Sequence, residues 1–553
     1  MKKFILRFFL VIAILALGFL IGSKYQSFNK KITRQKAAFA SEIFGIDFTN
    51  KELDMTLRSL NEIKGSYTSI RGLNIPNSVM PAIQFNPIPT GFIFNSKQEP
   101  IEWSNPGVVE LPTNMDDLAF YTVGELAELI KTKKITSVEL TKFFIERMKK
   151  YAPKLQNLIT LTEDLALEQA TRADQEIAEG KYRGPLHGIP YGAKDLLNTK
   201  KYKTTYGAMP YKDQIIDMDA TVIKKLEDAG AVLIAKLTLG ALAMGDIWFD
   251  GVTKNPWDTT IGSSGSSAGP ASSVSGGLVP FAIGSETWGS IVSPSTRCGV
   301  TGLRPTYGRV SRHGAMALSW SMDKLGPIAR SVEDCAMVFN VIYGPDEMDP
   351  TLYDAAFNYK TKVDLSSLRI AYDQSSFEKD TANKAVNDMV LETMKNLGVT
   401  LIPFETPEFP IDDISFVLGA EAAAAFDELT LSNRDDLLVA QDEWAWPNTF
   451  RAARFIPAVE YIQANRARTI LIEKMNEKMK NIDVYIAPSF SSNLLLTNLT
   501  GHPCVVLPTG FDNPRRPNSI TFIGKLFDEA TVLGVAKAFQ DATDFHKQHP
   551  KMD

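Results

Sequence analysis

The chain has 553 residues, 44% of them apolar and 22% charged, with 59 basic against 64 acidic side chains and a net charge of −5. That balance supplies a large core, and without a basic stripe or interleaved aromatic and basic residues it argues against nucleic acid as a partner. Cys298, Cys335 and Cys504 lie among apolar neighbours without C-x-x-C spacing, which predicts buried free thiols and excludes a disulfide frame or a zinc site. Length alone predicts three or four domains.

Lys2, Lys3 and Arg7 precede an apolar run from Phe8 to Ile21, so residues 1–23 have the layout of a signal peptide or a membrane anchor. Leu20 stands where a cleavage site prefers a small residue, which leaves both readings open. Either one predicts an exported or outward-facing anchored protein, periplasmic or extracellular. Lys24, Lys30, Lys31 and Arg34 weaken the charge asymmetry, so a cytoplasm-facing anchor stays open as well.

Residues 24–117 form an extension: helical and polar to about residue 70, then broken by prolines at 76, 81, 87, 89, 100, 106 and 112. Such spacing forbids helix and predicts an extended strap. The compact body, residues 118–549, opens with capping boxes at Thr122/Glu125 and Thr136/Glu139 and a third helical pattern ending at Gly180. Helical residues 220–229 then lead through Gly230 into Ala-Val-Leu-Ile-Ala, and residues 383–397 through Gly398 into Val-Thr-Leu-Ile-Pro. This alternation predicts an α/β layered domain, with a helical stretch at about 413–480 before Asp483-Val-Tyr-Ile-Ala-Pro resumes it.

The segment Gly262–Ser295 is crowded with serine and glycine around the apolar run Gly-Gly-Leu-Val-Pro-Phe-Ala-Ile-Gly. Hydroxyls bracketing a buriable run, with glycine-exposed N–H groups nearby, suit acyl-transfer chemistry. Two readings compete. A nucleophile elbow, Gly265-Ser266-Ser267-Ala268-Gly269, would make Ser267 the nucleophile between a strand and a helix. The preceding Asn255-Pro-Trp-Asp-Thr-Thr-Ile-Gly-Ser-Ser reads as turn chemistry, and His313 and His502 lie in Gly- or Pro-rich turns, so the elbow lacks its context. The other reading puts the nucleophile at Ser290, with Ser266 and Lys194 as partners. Read from its residues, Lys194 is equally a buried lysine paired with Asp195 and a functional base.

The runs Gly265-Ser-Ser, Gly284-Ser-Glu-Thr-Trp-Gly-Ser290-Ile and Cys298-Gly-Val-Thr-Gly-Leu-Arg-Pro-Thr-Tyr-Gly-Arg-Val-Ser, with the upstream Gly-Ile-Pro-Tyr-Gly-Ala-Lys194-Asp, resemble the amidase signature family. Asn255-Pro-Trp-Asp, Leu325-Gly-Pro-Ile-Ala-Arg-Ser-Val-Glu-Asp and Asp483-Val-Tyr-Ile-Ala-Pro extend the resemblance over about residues 118–545, toward the branch like the A subunit of glutamyl-tRNA amidotransferase. It implies one large α/β domain with a central mixed sheet surrounded by helices. It also implies a Ser-cisSer-Lys triad that hydrolyses a carboxamide C–N bond through an acyl-serine, with no metal or organic cofactor.

In that triad Ser290 attacks, Ser266 relays the proton across a cis peptide after Gly265, and Lys194 is the base. The oxyanion hole falls to the backbone N–H groups of Thr287, Trp288, Gly289 and Ser290. Ser263, Ser264 and Ser267 are left as turn or packing residues. A lysine neutral at pH 7 needs its pKa lowered from about 10.4 to near 7, roughly 4 to 5 kcal/mol that only burial readily supplies. The loop departs from the family, which commonly has Gly at Trp288, Asp at Glu286 and Arg at Val292. Trp288 would fill the acyl side of the pocket or pack in the core.

His187 reads as a hydrogen-bonded turn residue and Cys298 as inert; Trp444, Trp446 and Phe450 fit a substrate channel or core packing equally. The expected partner is a small-molecule amide. The alternatives are the glutamine-hydrolysing component of an amidotransferase and, from another class, a degenerate binding module whose loop Trp288 blocks.

Overall fold

Helix starts follow the caps written in the sequence in this computed structural model, which describes residues 31–513 and 516–552. Thr122 and Thr136 accept from the N–H groups of Glu125 and Glu139, whose carboxylates return to the cap N–H groups, and open the helices Val123–Lys131 and Ser137–Leu155. The helices Thr221–Asp228 and Lys384–Asn396 end just before Gly230 and Gly398, and a strand follows each.

In chain order the strands are β1 (Leu158–Leu161), β2 (Pro190–Lys194), β3 (Val232–Leu237), β4 (Ile247–Trp248), β5 (Gly251–Val252), β6 (Lys254–Asn255), β7 (Asp258–Gly262) and β8 (Phe281–Glu286). They continue with β9 (Thr301–Arg304), β10 (Lys324–Ala329), β11 (Ile370–Asp373), β12 (Ile402–Phe404), β13 (Val484–Pro488), β14 (Cys504–Asn513) and β15 (Arg516–Gly524). Eleven of them form one sheet in the order β1-β3-β2-β8-β10-β9-β14-β15-β13-β11-β12. It is mixed: β2 runs parallel to β3 and β8, whereas β8, β10, β9, β14 and β15 pair antiparallel.

Strands β2, β3, β8 and β10 are buried along their whole length, as a sheet covered on both faces requires. The helices Glu163–Ala178, Ala268–Ser275, Val332–Ile342 and Glu529–Thr543 pack on it. Lys194 and Glu286 end β2 and β8, next to each other in the sheet, so two ionisable groups share one central edge of the core.

The described residues divide into two compact units, those up to 76 with 455–458, and those of 77–454 with those from 459 on. In the first, the helices Arg34–Ile43 and Asn50–Arg71 are tied by the Arg34–Asp54 ion pair and by Ile32 N–H donating to Asn61 Oδ1 at 2.8 Å. In the second, the proline-rich strap from residue 77 belongs with the body. Three or four domains do not form, because strands spread from residue 158 to 524 hydrogen-bond into one sheet and share one core. The helical stretch near 413–480 is several helices, the longest Ala458–Met479. The expected signal or anchor at 1–23 lies outside the described residues, among which no helix is long and apolar enough to cross a membrane.

The end of β9 is fixed from the last long helix. Glu529 accepts from Thr306 N–H at 2.9 Å and from Arg309 Nε at 3.1 Å, with both charged side chains fully buried. Glu529→Ala strands the Arg309 guanidinium, and chemical denaturation should show a loss of about 3 to 5 kcal/mol.

Candidate active site

Lys194 is fully buried, and hydroxyls surround its amine. Nζ donates to Ser266 Oγ at 2.8 Å, Ser285 Oγ at 2.9 Å and Ser267 Oγ at 3.0 Å, with Ser285 O at 3.4 Å. Burial drives its pKa well below that of an ordinary lysine, and the Asp323 and Glu286 carboxylates, which do not touch it, only partly offset this. The adjacent Asp195 is not its partner. That carboxylate pairs with Lys236 Nζ at 2.8 Å and accepts from Thr205 N–H at 2.8 Å, because successive residues at a strand end point to opposite faces.

The serines around the amine are not equivalent. Ser267 Oγ donates to Ser285 O at 3.0 Å and accepts from Ser285 N–H at 3.1 Å, so its only proton is committed. Ser266 Oγ has no partner but Lys194 among the described residues, and its proton is free to move. The Gly265–Ser266 peptide bond is cis. Only glycine fits at 265, since a Cβ there would lie 1.8 Å from Gly245 O.

An elbow-like context does exist: β7 precedes the serines and the helix Ala268–Ser275 follows Ser267. The expectation of a turn alone missed that strand, because Asp258–Gly262 pairs only with β6 in a small hairpin outside the large sheet. Ser267 is nonetheless fully buried with its hydroxyl saturated, so it is not presented as a nucleophile.

Ser290 lies between β8 and the helix Val292–Cys298 and is 8% exposed. Its carbonyl accepts from Ser267 N–H at 3.1 Å, which ties the two serine segments together. Among the described residues no side chain bonds its hydroxyl, and no acceptor takes the backbone N–H groups of Trp288, Gly289 and Ser290. Gly289 has φ +83°, and a Cβ would come within 3.2 Å of Leu494, so the loop requires glycine there.

Two carboxylates brace this loop. Glu286 Oε2 accepts from Ile291 N–H at 2.8 Å and Val292 N–H at 3.0 Å, while Oε1 accepts from Arg304 Nη1 and Asn498 Nδ2, each at 2.8 Å. Burial would raise its pKa; Arg304 and the hydrogen bonds prevail and hold it at about 2. Asp323 accepts from Thr287 Oγ1 at 2.6 Å and from the N–H groups of Leu318 and Ser319. Burial raises its pKa against those bonds.

Sequence reasoning missed Ser267 and Ser285 as partners of the lysine, and Arg304, Asn498 and Asp323 as loop braces. Only Ser285 carried a signal, its place one residue before Glu286 in the motif. Ser263 and Ser264 stay outside the cluster: Ser263 Oγ donates to Ser264 O, and Ser264 Oγ meets Ser293 Oγ at 2.7 Å. His187 is buried, accepting at Nδ1 from Arg183 N–H, with Nε2 3.2 Å from Glu176. The three cysteines are free and buried. Trp446 and Phe450 stack in the core at 5.2 Å, whereas Trp444 is 78% exposed. Trp288 is 45% exposed and does not pack in the core.

The amidase family model, described as Amidase, matches residues 139–533. The chain is 33% identical over 487 residues to the A subunit of glutamyl-tRNA(Gln) amidotransferase from Carboxydothermus hydrogenoformans, covering 79% of this chain and 100% of that protein. Among solved structures it is similar to native peptide amidase from Stenotrophomonas maltophilia, with a TM-score of 0.70, 27% identity and coverage of 78% and 98% of the two chains. An amidase family protein from Bacillus anthracis gives a TM-score of 0.72 at 26% identity, with coverage of 79% and 93%.

A depressed carboxyl pKa stabilises the fold above its unfolded value, and that contribution disappears as pH falls toward the folded one. For Glu286 the window runs from about pH 4.5 down to about 2. The advantage of the native chain over Glu286→Gln, roughly 3 kcal/mol at neutral pH, should shrink across that window in denaturant unfolding series.

Proposed function

The chain belongs to the Amidase family and hydrolyses amide C–N bonds, and on that premise we propose that Ser290, Ser266 and Lys194 carry the chemistry within a catalytic domain of residues 118–549. Ser290 Oγ attacks the carbonyl carbon while its proton passes to Ser266 and the Ser266 proton passes to the neutral Lys194 amine. The tetrahedral oxyanion accepts hydrogen bonds from the N–H groups of the Thr287–Ser290 loop, where each donor is worth about 100- to 1000-fold in rate. Collapse breaks the C–N bond, and the leaving amine takes the proton back from Lys194 through Ser266. Water then attacks the acyl-Ser290 ester by the same relay, releasing a carboxylic acid and restoring the serine.

The observation that supports this reading is the proton inventory at Lys194. The amine is buried without a carboxylate partner among the described residues, and of the three serine hydroxyls around it Ser267 has its proton committed while Ser266 and Ser285 do not; Ser266 is the one next in the chain to Ser267, whose N–H binds Ser290 O. A loop with three N–H groups that meet no acceptor among the described residues follows β8 at Ser290.

A second reading rests on the similarity to the glutamyl-tRNA(Gln) amidotransferase relative over that protein's whole length. Under it the amide is glutamine and the released ammonia passes to a partner. Glutamine hydrolysis by the purified chain that rises only on adding the companion proteins of such an assembly would favour it; hydrolysis of aryl and peptide amides by the chain alone favours the amidase. A blocked binding module predicts no labelling by a serine-directed acylating probe. The basic residues followed by the Phe8–Ile21 run support export or membrane attachment, which fractionation of the tagged protein tests.

Peptide mapping of an acylating probe should place the label on Ser290, and Ser290→Ala should abolish label and turnover. Lys194→Ala and Ser266→Ala should each lower kcat/KM by about 10⁴-fold, while Ser267→Ala still labels at Ser290. The base works neutral and its pKa is lowered, so kcat/KM should hold at neutral pH and fall as pH drops through that lowered value. A kcat/KM that rises as pH falls below neutral would contradict Lys194 as base.

A further inference from the structure

A cavity of about 720 Å³ lies under the proline-rich strap. The strap is pinned at both sides of it. Thr90 N–H donates to Glu473 Oε1 at 2.8 Å, and farther along Ala356 N–H donates to Asn95 O and Glu99 N–H to Asn358 Oδ1, each at 2.8 Å. Between the pins Ile93 turns outward, 91% exposed, while Phe94 turns inward against Phe527 with ring centroids 4.8 Å apart. The strap therefore arches over the body and leaves a space with an aromatic wall.

His502 lines the same cavity and is only 3% exposed. Thr500 Oγ1 spends its proton on Leu496 O at 3.0 Å, so at 2.8 Å from His502 Nδ1 it must accept. Nδ1 thus carries the imidazole proton and Nε2 is a bare acceptor with no partner among the described residues. Burial and then Arg304 lower the pKa of this histidine to about 3, which keeps it neutral. A buried acceptor without a donor at the edge of a cavity calls for a ligand that brings one.

Charge limits the ligand further. Lys480 and Lys525 line the cavity but are paired with Glu477 and Asp483, whereas Lys360 meets no carboxylate among the described residues. Asp528 is occupied by Thr531, and Glu99 disfavours a multiply charged anion.

We propose that this cavity is a second ligand site, separate from the serines and Lys194, for a small aromatic monocarboxylate that carries a hydroxyl or N–H donor. The ring lies against Phe94 and Phe527, the donor meets His502 Nε2 and the carboxylate meets Lys360. Residues 90–99 lie outside the matched family region, so the chain's own extension completes the site.

The test is calorimetric titration of 4-hydroxyphenylacetate into the full chain, with hydrolysis assayed separately. Saturable one-to-one binding is expected. It should weaken about tenfold in Lys360→Glu, in the cavity-filling Leu526→Trp and with phenylacetate as probe, since one hydrogen bond to a charged or buried partner is worth about that factor. Both variants should keep the amide hydrolysis rate measured without probe, which shows that they fold. Binding that persists after Ser290 is acylated supports the second site. The proposal is overturned by no saturation below about 10 mM, by binding to either variant as tight as to the native chain, or by loss of binding on acylation. Because the readout is binding, it stands or fails independently of the assigned triad.

Discussion

Lys194 carries a basic nitrogen into the middle of an eleven-stranded sheet with no carboxylate in contact among the described residues. A bare ammonium in that position costs several kcal/mol even after local relaxation, so burial drives the pKa of the amine well below that of an ordinary lysine. A neutral amine still requires hydrogen-bond partners, and hydroxyls supply them without adding charge. Ser266, Ser267 and Ser285 answer that requirement. So does the glycine at 284, where a Cβ would lie 2.8 Å from Ser267 Oγ and push it off the lysine.

Keeping the amine neutral also depends on where the nearby carboxylates are bound. Asp195 is held by Lys236 and Thr205, Glu286 by Arg304 and Asn498, and Asp323 by Thr287 and two backbone N–H groups. Asp195 faces away from Lys194, and Asp323 and Glu286 act on the amine only from a distance, where they offset part of the effect of burial. Two of these restraints hold the loop ahead of Ser290 as well. The same hydrogen bonds therefore keep those carboxylates off the lysine and hold the loop that carries Ser290. Fold and site are coupled here by charge assignment, not by proximity alone.

Much of this was legible in the sequence. Capping boxes and the Gly230 and Gly398 switches from helix to strand are local, and they appear where the pattern puts them. Partner choice was not legible. Asp195 follows Lys194 directly, yet strand alternation sends it to Lys236, and nothing in the chain marks residue 236 as its mate. Whether Ser267 donates its proton to Ser285 O or relays one is settled by a carbonyl eighteen residues away. The strand before the elbow-like serines was hidden because a five-residue run rich in Asp and Thr has turn composition and pairs only within a hairpin. Domain number was misjudged from length for a related reason: sheet registry across residues 158–524 is a long-range property.

The three departures around Ser290 from the family's usual residues become one arrangement in space. Glutamate at 286 is a methylene longer than aspartate, and its two oxygens reach two backbone N–H groups on one side and Arg304 with Asn498 on the other. With the guanidinium arriving from β9, position 292 needs no cation, and Val292 instead joins the buried apolar cluster with Leu495, Leu496 and Leu499. Trp288 changes a different surface. Its backbone N–H remains without a protein acceptor while its indole is 45% exposed, so the substitution adds an aromatic face beside the loop and leaves the donors intact. A backbone N–H does not depend on the side chain it belongs to, so residue 288 can change its exposed face without changing the donor it offers.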